Sequence, residues 1–226
     1  MLLKRSYQKE MMDDFSINDE RIDTALTELK IINKYLGGIS ATKYGLKKIL
    51  QKIESKNLIK ILDAGGGASD ILLSLNEKDY KIFSNDLNKR VTNYVKQKSP
   101  EVEVVCADVF DLPFKKKQFD IAHLSLFLHH FKESEIKIIL SAVSNVSKYG
   151  IIINDLHRST LAYSGIKILT TLFSQSEFVK NDGPLSVKRG FKKRELIRIL
   201  DELNFNYKIS YKWAFRWLVI IYLKNG

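Results

Sequence analysis

The stretch Leu58-Ile59-Lys60-Ile61-Leu62-Asp63-Ala64-Gly65-Gly66-Gly67-Ala68-Ser69-Asp70 decides the architecture. The apolar run from Leu58 to Leu62 has the length of a buried strand and enters a glycine cluster directly. Glycines there bend the chain and let the backbone approach a ligand, because no Cβ stands in the way. From Ser69 to Glu77 the residues read as a helix, so strand, turn and helix follow in close succession.

Downstream the same rhythm repeats. Lys81 to Ser84 reads as a second strand, and Asn88 to Lys98 as a helix stopped by Ser99-Pro100. Glu101 to Cys106 alternates polar and apolar residues, which gives a third strand. Phe119 to Leu124 is a fourth, Ser134 to Val146 a helix, and Tyr149 to Ile153 a fifth strand. Such alternation implies a parallel sheet covered on both faces. The rhythm then breaks. Residues 156–174 suggest a helix, with Ile166, Leu169, Leu172 and Phe173 on one side. Gln175 to Gly190 reads as a loop turning at Asp182-Gly183-Pro184, followed by a helix from Lys193 to Leu203. Tyr207 to Trp213 and Arg216 to Leu223 are two strands too close in sequence to pair other than antiparallel. The expected fold is α/β: a doubly wound, mostly parallel, seven-stranded Rossmann-like sheet with its last strand reversed.

Upstream, Ile22, Ala25, Leu26, Leu29, Ile32 and Leu36 follow helical spacing up to Gly37-Gly38, and Leu46, Ile49, Leu50 and Ile53 mark a second helix. Residues 1–56 are therefore expected to form a helical lid on the substrate side, and residues 57–226 a core with a helical insertion at 156–190.

Composition narrows the class. With 226 residues and 45% hydrophobic content, the chain can bury one sizeable core. No apolar run approaches the ~18 residues of a membrane span, and the opening MLLKRSYQKEMMDDF lacks a signal-peptide core. Cys106 is the single cysteine, so neither an intramolecular disulfide nor a multi-cysteine metal site can form. These features lead to the expectation of a cytoplasmic protein; no metal is expected, with Asp155 and His157 as the one pair that leaves a site open. The net charge of +11 is spread along the chain; its tightest runs are Lys115-Lys116-Lys117 and Lys192-Lys193-Arg194. Such a charge suits RNA, an anionic membrane face or an acidic carrier protein, or equally a lysine-rich solvated surface with no partner; a nucleic-acid partner is not the expected reading. A homodimer is compatible with the sequence.

Three carboxylates sharpen the reading of the glycine turn. Asp63 precedes the glycines, Asp86 ends the second strand and Asp108 follows the third. Each falls at the carboxyl end of a strand, where open α/β sheets bind ligands. A carboxylate can accept both hydroxyls of a ribose, and an acidic cleft suits the ammonium and sulfonium of S-adenosylmethionine (SAM). A nicotinamide dinucleotide would account for the glycines and Asp86, but it leaves Asp63 without a task and expects a glycine where Asp70 stands.

The run Asp63-x-Gly65-x-Gly67, then Asp86, then Ala107-Asp108-Val109-Phe110-Asp111-Leu112-Pro113-Phe114 resembles the SAM site of class I methyltransferases. The resemblance implies that Asp63, Gly65, Gly66 and Gly67 line the methionine side and that Asp86 takes the ribose. It also implies that Leu87 flanks adenine, Asp108 meets the adenine amino group and Val109 packs nearby. The family often has glycine where Ser69 stands; a serine there is expected to cap the helix. After the fourth strand the chain lacks the Asn/Asp-Pro-Pro-Tyr/Phe motif of base-amine methyltransferases, and it lacks the paired-glutamate loop of protein arginine methyltransferases.

The chain resembles instead the small-molecule, type 11 group related to ubiquinone and menaquinone methyltransferases. Leu29 to Gly38, Asn154 to Ser159 and Asp182 to Arg189 resemble bacterial methyltransferases that accompany type III polyketide synthases. That likeness implies O-methylation of a phenolic, quinol or polyketide-derived, often lipid-like acceptor, with C-methylation of a quinol-type ring as the alternative and a non-catalytic SAM-fold or nucleic-acid-binding protein as the further one. A phenol has a pKa near 10, so a base helps at neutral pH. Base candidates lie beyond strands four and five: His129, His130 and His157, with Asp155, Arg158 and Tyr163 expected to contact the substrate. Adjacent histidines on a helix diverge by about 100°, so one of His129 and His130 is expected to face the cleft. His123, inside its strand, is expected to be structural. Tyr35, Tyr44, Phe173 and Phe178 are expected mostly to build the subdomain's own core.

Overall fold

A computed structural model describes residues 2, 4–14, 16–17, 19–53, 58–75 and 78–224. Two helices come first, α1 (Glu20–Tyr35) and α2 (Gly38–Leu50). The alternating part follows as β1 (Ile59–Ala64), α3 (Asp70–Leu73), β2 (Tyr80–Asp86), α4 (Lys89–Lys98), β3 (Glu103–Cys106), β4 (Phe119–Ser125), α5 (Glu133–Val146) and β5 (Ser147–Leu156). The chain closes with α6 (Thr160–Phe173), α7 (Glu177–Arg189), α8 (Lys193–Glu202), β6 (Asn206–Lys212) and β7 (Arg216–Tyr222). The sheet order is β3-β2-β1-β4-β5-β7-β6, and β7 alone runs against the other six strands. The expected doubly wound sheet with a reversed last strand is present.

Its central strands β1, β4 and β7 are buried along almost their whole length, as a sheet covered on both faces requires. On one face Ile136, Ile139 and Leu140 of α5 and Leu196, Ile199 and Leu200 of α8 pack on Leu62, Leu124 and Val219. On the other face Leu46 and Ile49 of α2, Leu72 of α3 and Val95 of α4 pack on Ile61, Ile121 and Ile220. The α2 helix is therefore a layer of the core, and the boundary expected at residue 56 does not separate two cores. Helix α1 instead packs on α4 and α7 through Ile22, Leu26 and Val91 and through Ala25, Phe178 and Val179.

Two local expectations change. The segment 175–190, expected as a loop, is the helix α7 with Pro184 inside it. A proline forfeits one helical hydrogen bond, yet burial of Phe178, Val179, Leu185 and Val187 outweighs that local signal. The helix expected over 69–77 is a single turn in its described part, and residues 76–77 lie outside the described residues. Ser69 does not cap it: Ser69 sits in the left-handed region (φ +50°), and its hydroxyl donates to Ser84 Oγ at 2.9 Å. A left-handed backbone costs a side chain strain that glycine escapes, which fits the family's preference at this position.

Candidate functional site

The carboxyl ends of β1, β2 and β3 step outward like a stair. Asp63 pairs in register with Ser84, so Asp86 lies one pleat further along; Asp86 pairs with Cys106, so Asp108 lies one pleat beyond that. Two adjoining cavities run over this edge. The smaller, about 110 Å³, is lined by Asp63, Gly65, Gly66, Gly67 and Asp70. The larger, about 610 Å³, is lined by Gly65, Gly67, Asp86, Leu87, Asp108 and Val109, and continues to His129 and His130. Its size is that of a small-molecule site. The eight expected cofactor residues thus line one connected cleft.

Local chemistry sets each of them. Gly65 (φ +63°) and Gly67 (φ +53°) need the left-handed region, and a Cβ on Gly65 would fall 2.1 Å from the Phe127 ring. The Asp86 carboxylate accepts from Asn88 N (2.8 Å) and Gly67 N (3.2 Å), one bond per oxygen, and burial pushes its pKa up. Asp108 accepts from Phe110 N at 3.0 Å. Asp63 Oδ1 accepts from His123 Nδ1 at 2.7 Å, while the far nitrogen of His123 meets Thr42 Oγ1 at 2.9 Å. His123 is structural as expected, and it orients Asp63 from inside the sheet. Burial also raises the pKa of Asp70, whose Oδ2 accepts from Asn33 of α1 at 3.3 Å.

At the other end of the cleft, His129 and His130 occupy one tight 3-10 turn after β4. Both line the cleft, against the expectation that only one would. The turn is too short to have a back face, and separate carboxylates draw the rings together: His129 Nδ1 donates to Asp155 Oδ1 and His130 Nδ1 to Asp13 Oδ1, each at 2.7 Å. The ring centroids are 4.3 Å apart. The opposite nitrogens face Glu10, with His129 Nε2 at 3.5 Å from Oε1 and His130 Nε2 at 3.9 Å from Oε2. Burial alone would lower the His129 pKa, but the Asp155 charge and hydrogen bond, together with Glu10, hold it at about 9.

Glu10 and Asp13 belong to an N-terminal strap that sequence reasoning passed over. Asp182 fastens it by accepting from Met11 N (2.8 Å) and Met12 N (3.0 Å). Arg189 fastens it again by donating to Gln8 O (2.9 Å) and Asp13 Oδ2 (2.8 Å). No periodicity marks residues 4–13; their one signal is the density of charge in KRSYQKEMMD.

The remaining expected residues fall elsewhere. His157 packs edge-on between Tyr211 and Trp217, outside both cavities. Arg158 is buried and pairs with Glu195 at 2.7 Å, so its charge is spent inside the fold. Asp155 is fully buried behind His129 and holds that ring rather than reaching the cleft. Tyr163 lies under the Lys188 ammonium, away from the cleft. Phe178 is core as expected, Tyr44 packs on the sheet's outer cluster, and Tyr35 and Phe173 are exposed.

Residues 61–150 match the family described as "Methyltransferase domain". This segment, about two fifths of the chain, is thus similar to methyltransferase domains. An uncharacterized methyltransferase of Synechocystis sp. is 31% identical over 103 residues, which cover 44% of this chain and 48% of the relative. The match thus spans about half the length of that curated relative. Among solved structures, the plantazolicin methyltransferase BpumL, in complex with a triazolic desmethylPZN analog and SAH, aligns with a TM-score of 0.68 at 16% identity. That alignment covers 94% of this chain and 93% of that one. Human N-acetylserotonin methyltransferase in complex with SAM aligns with a TM-score of 0.63 at 17% identity, covering 98% and 60%. Magnesium protoporphyrin IX methyltransferase from Synechocystis with bound SAM gives 0.61 at 14% identity, covering 96% and 100%. At these identities the likeness establishes the fold alone.

Proposed function

We propose that the chain transfers the methyl group of SAM to an oxygen of a small, largely apolar acceptor of the phenol, quinol or polyketide-derived class. One observation carries the reading: the acidic stair and glycine turn open without a break into a chamber that ends at two histidines. The methionine end of SAM occupies the smaller cavity, where Asp63 and Asp70 offset its ammonium. Asp86 holds the ribose, while Leu87, Asp108 and Val109 frame the adenine. The acceptor lies along the Phe110, Phe127 and Phe131 edges, which contact one another at centroid distances of 5.0 to 5.6 Å.

In the reaction the acceptor oxygen bonds to the methyl carbon as the sulfonium–carbon bond breaks, leaving S-adenosylhomocysteine. The acceptor's proton passes to His130, because His129, its pKa held at about 9, already carries one at neutral pH. Holding both partners in line contributes about 7–11 kcal/mol of barrier reduction. The strap over residues 4–13 excludes water, and this role replaces the lid first assigned to all of residues 1–56.

Titration calorimetry with SAM, S-adenosylhomocysteine and NAD tests the cofactor, and binding of the first two without the third is expected. A mass-spectrometric screen of phenols, quinols and alkylresorcinols tests the acceptor. Methyl transfer to ring carbon would replace the O-methyl reading, and no transfer with intact SAM binding would reject the acceptor class.

A further inference from the structure

The cluster of Glu10, His129 and His130 has the anatomy of a metal site. One ligand atom from each, a histidine nitrogen or a carboxylate oxygen, lies within 4.8 Å of the others. Each Nδ1 is already taken by a carboxylate, Asp155 or Asp13, at 2.7 Å. That outer bond fixes the ring and leaves Nε2 as the donor atom, the arrangement metal-bound histidines commonly show.

A second observation is independent of that geometry. Glu10 Oε1 and His129 Nε2 are buried and have no hydrogen-bond partner among the described residues. Arg189 lies 3.7 Å from Glu10 Oε1 but spends its donors elsewhere, on the His129 and His130 carbonyls, Gln8 O and Asp13. Two facing buried atoms left unpaired are costly, and a cation between them would satisfy both.

We propose that Glu10, His129 and His130 bind a divalent transition-metal ion, zinc foremost. Two imidazoles and one carboxylate are the three-ligand set of open zinc sites. Bond lengths of about 2.0–2.1 Å place tetrahedral ligand atoms about 3.3–3.4 Å apart, so closing from separations of up to 4.8 Å takes side-chain shifts of up to about 1.5 Å. The fourth position opens on the cleft, where an acceptor hydroxyl or a water would complete it. That role in the reaction rests on the methyl-transfer reading; the ion site itself does not.

The test uses the tag-free, chelator-stripped chain carrying Cys106→Ser, which removes the exposed thiol as a rival ligand. Calorimetry should show one equivalent of Zn²⁺ binding with a Kd at or below about 1 μM, and Co²⁺ should give a visible absorption band. Glu10→Gln and His130→Ala should weaken binding at least tenfold, and Asp155→Asn by about 10–100-fold. S-adenosylhomocysteine affinity, measured on the same samples, should be unchanged by these variants. Less than one equivalent of zinc, no cobalt band, or binding indifferent to Glu10→Gln and His130→Ala overturns the proposal. Zinc binding without S-adenosylhomocysteine binding would keep the site and reject the methyl-transfer reading instead.

Discussion

Replacing Asp86 with asparagine is the sharpest probe of the cofactor reading. Its carboxylate offers about four acceptor positions, and two are used by Asn88 N and Gly67 N. The two that remain are assigned to the ribose hydroxyls. Asparagine keeps one oxygen and turns an NH₂ toward groups that themselves donate, so at least one ribose bond is lost. A hydrogen bond to a charged group is worth about 1.5–3 kcal/mol, which is about a 10- to 150-fold loss of affinity. Because burial already raises the Asp86 pKa, removing the charge relieves the empty protein of a desolvated carboxylate, and thermal stability should change little. Calorimetry with S-adenosylhomocysteine, checked by a thermal melt, reads both quantities. The wild type should also lose affinity as the pH falls toward that raised pKa, since the bound form needs the carboxylate ionised, and Asp86→Asn should lose this dependence. An affinity within about threefold of wild type, with an unchanged melt, would refute the ribose assignment.

Other perturbations separate fold from site. Asp70→Asn should raise the melting temperature at pH 7, because burial makes the ionised form costly in the folded state; the gain should vanish at acid pH, where the wild-type carboxyl is protonated. The same variant should weaken SAM binding by removing a charge beside the ammonium. Glu195→Gln removes the carboxylate charge that pairs with the buried Arg158 guanidinium and should destabilise by about 3 kcal/mol in a denaturant titration, leaving cofactor affinity of the folded protein intact. His157→Ala should keep turnover within about twofold, as its ring lies outside the cleft, whereas His129→Ala and His130→Ala should each lose at least about tenfold in kcat. Full turnover in both of the latter would remove the histidine cluster from the reaction.

The sheet was legible because its signals are local and redundant. The run Ile59 to Leu62, the glycine turn and the three aspartates each stand where backbone geometry permits few alternatives. β5 extends through Asn154, Asp155 and Leu156, beyond the expected end at Ile153, because those polar residues are satisfied within the fold: Asn154 by Gly38 O and Thr42, Asp155 by His129. α7 was misread because Asp182-Gly183-Pro184 carries a strong local turn signal, whereas the burial that overrides it depends on α1 and on the strap. His157 and Arg158 followed β5 in sequence but turned toward β6 and α8 rather than the cleft.

The order of residues by itself determined the alternating sheet, the reversed last strand and the acidic edge at the strands' carboxyl ends, since strand period, glycine freedom and the reach of a short crossover act over neighbouring positions. Only the tertiary structure decided which histidines meet, and that Glu10, from the far end of the chain, stands between them. Such a meeting depends on contacts over more than a hundred residues, drawn together by Asp182 and Arg189, and no local pattern in the chain encodes which distant carboxylate a buried imidazole will face.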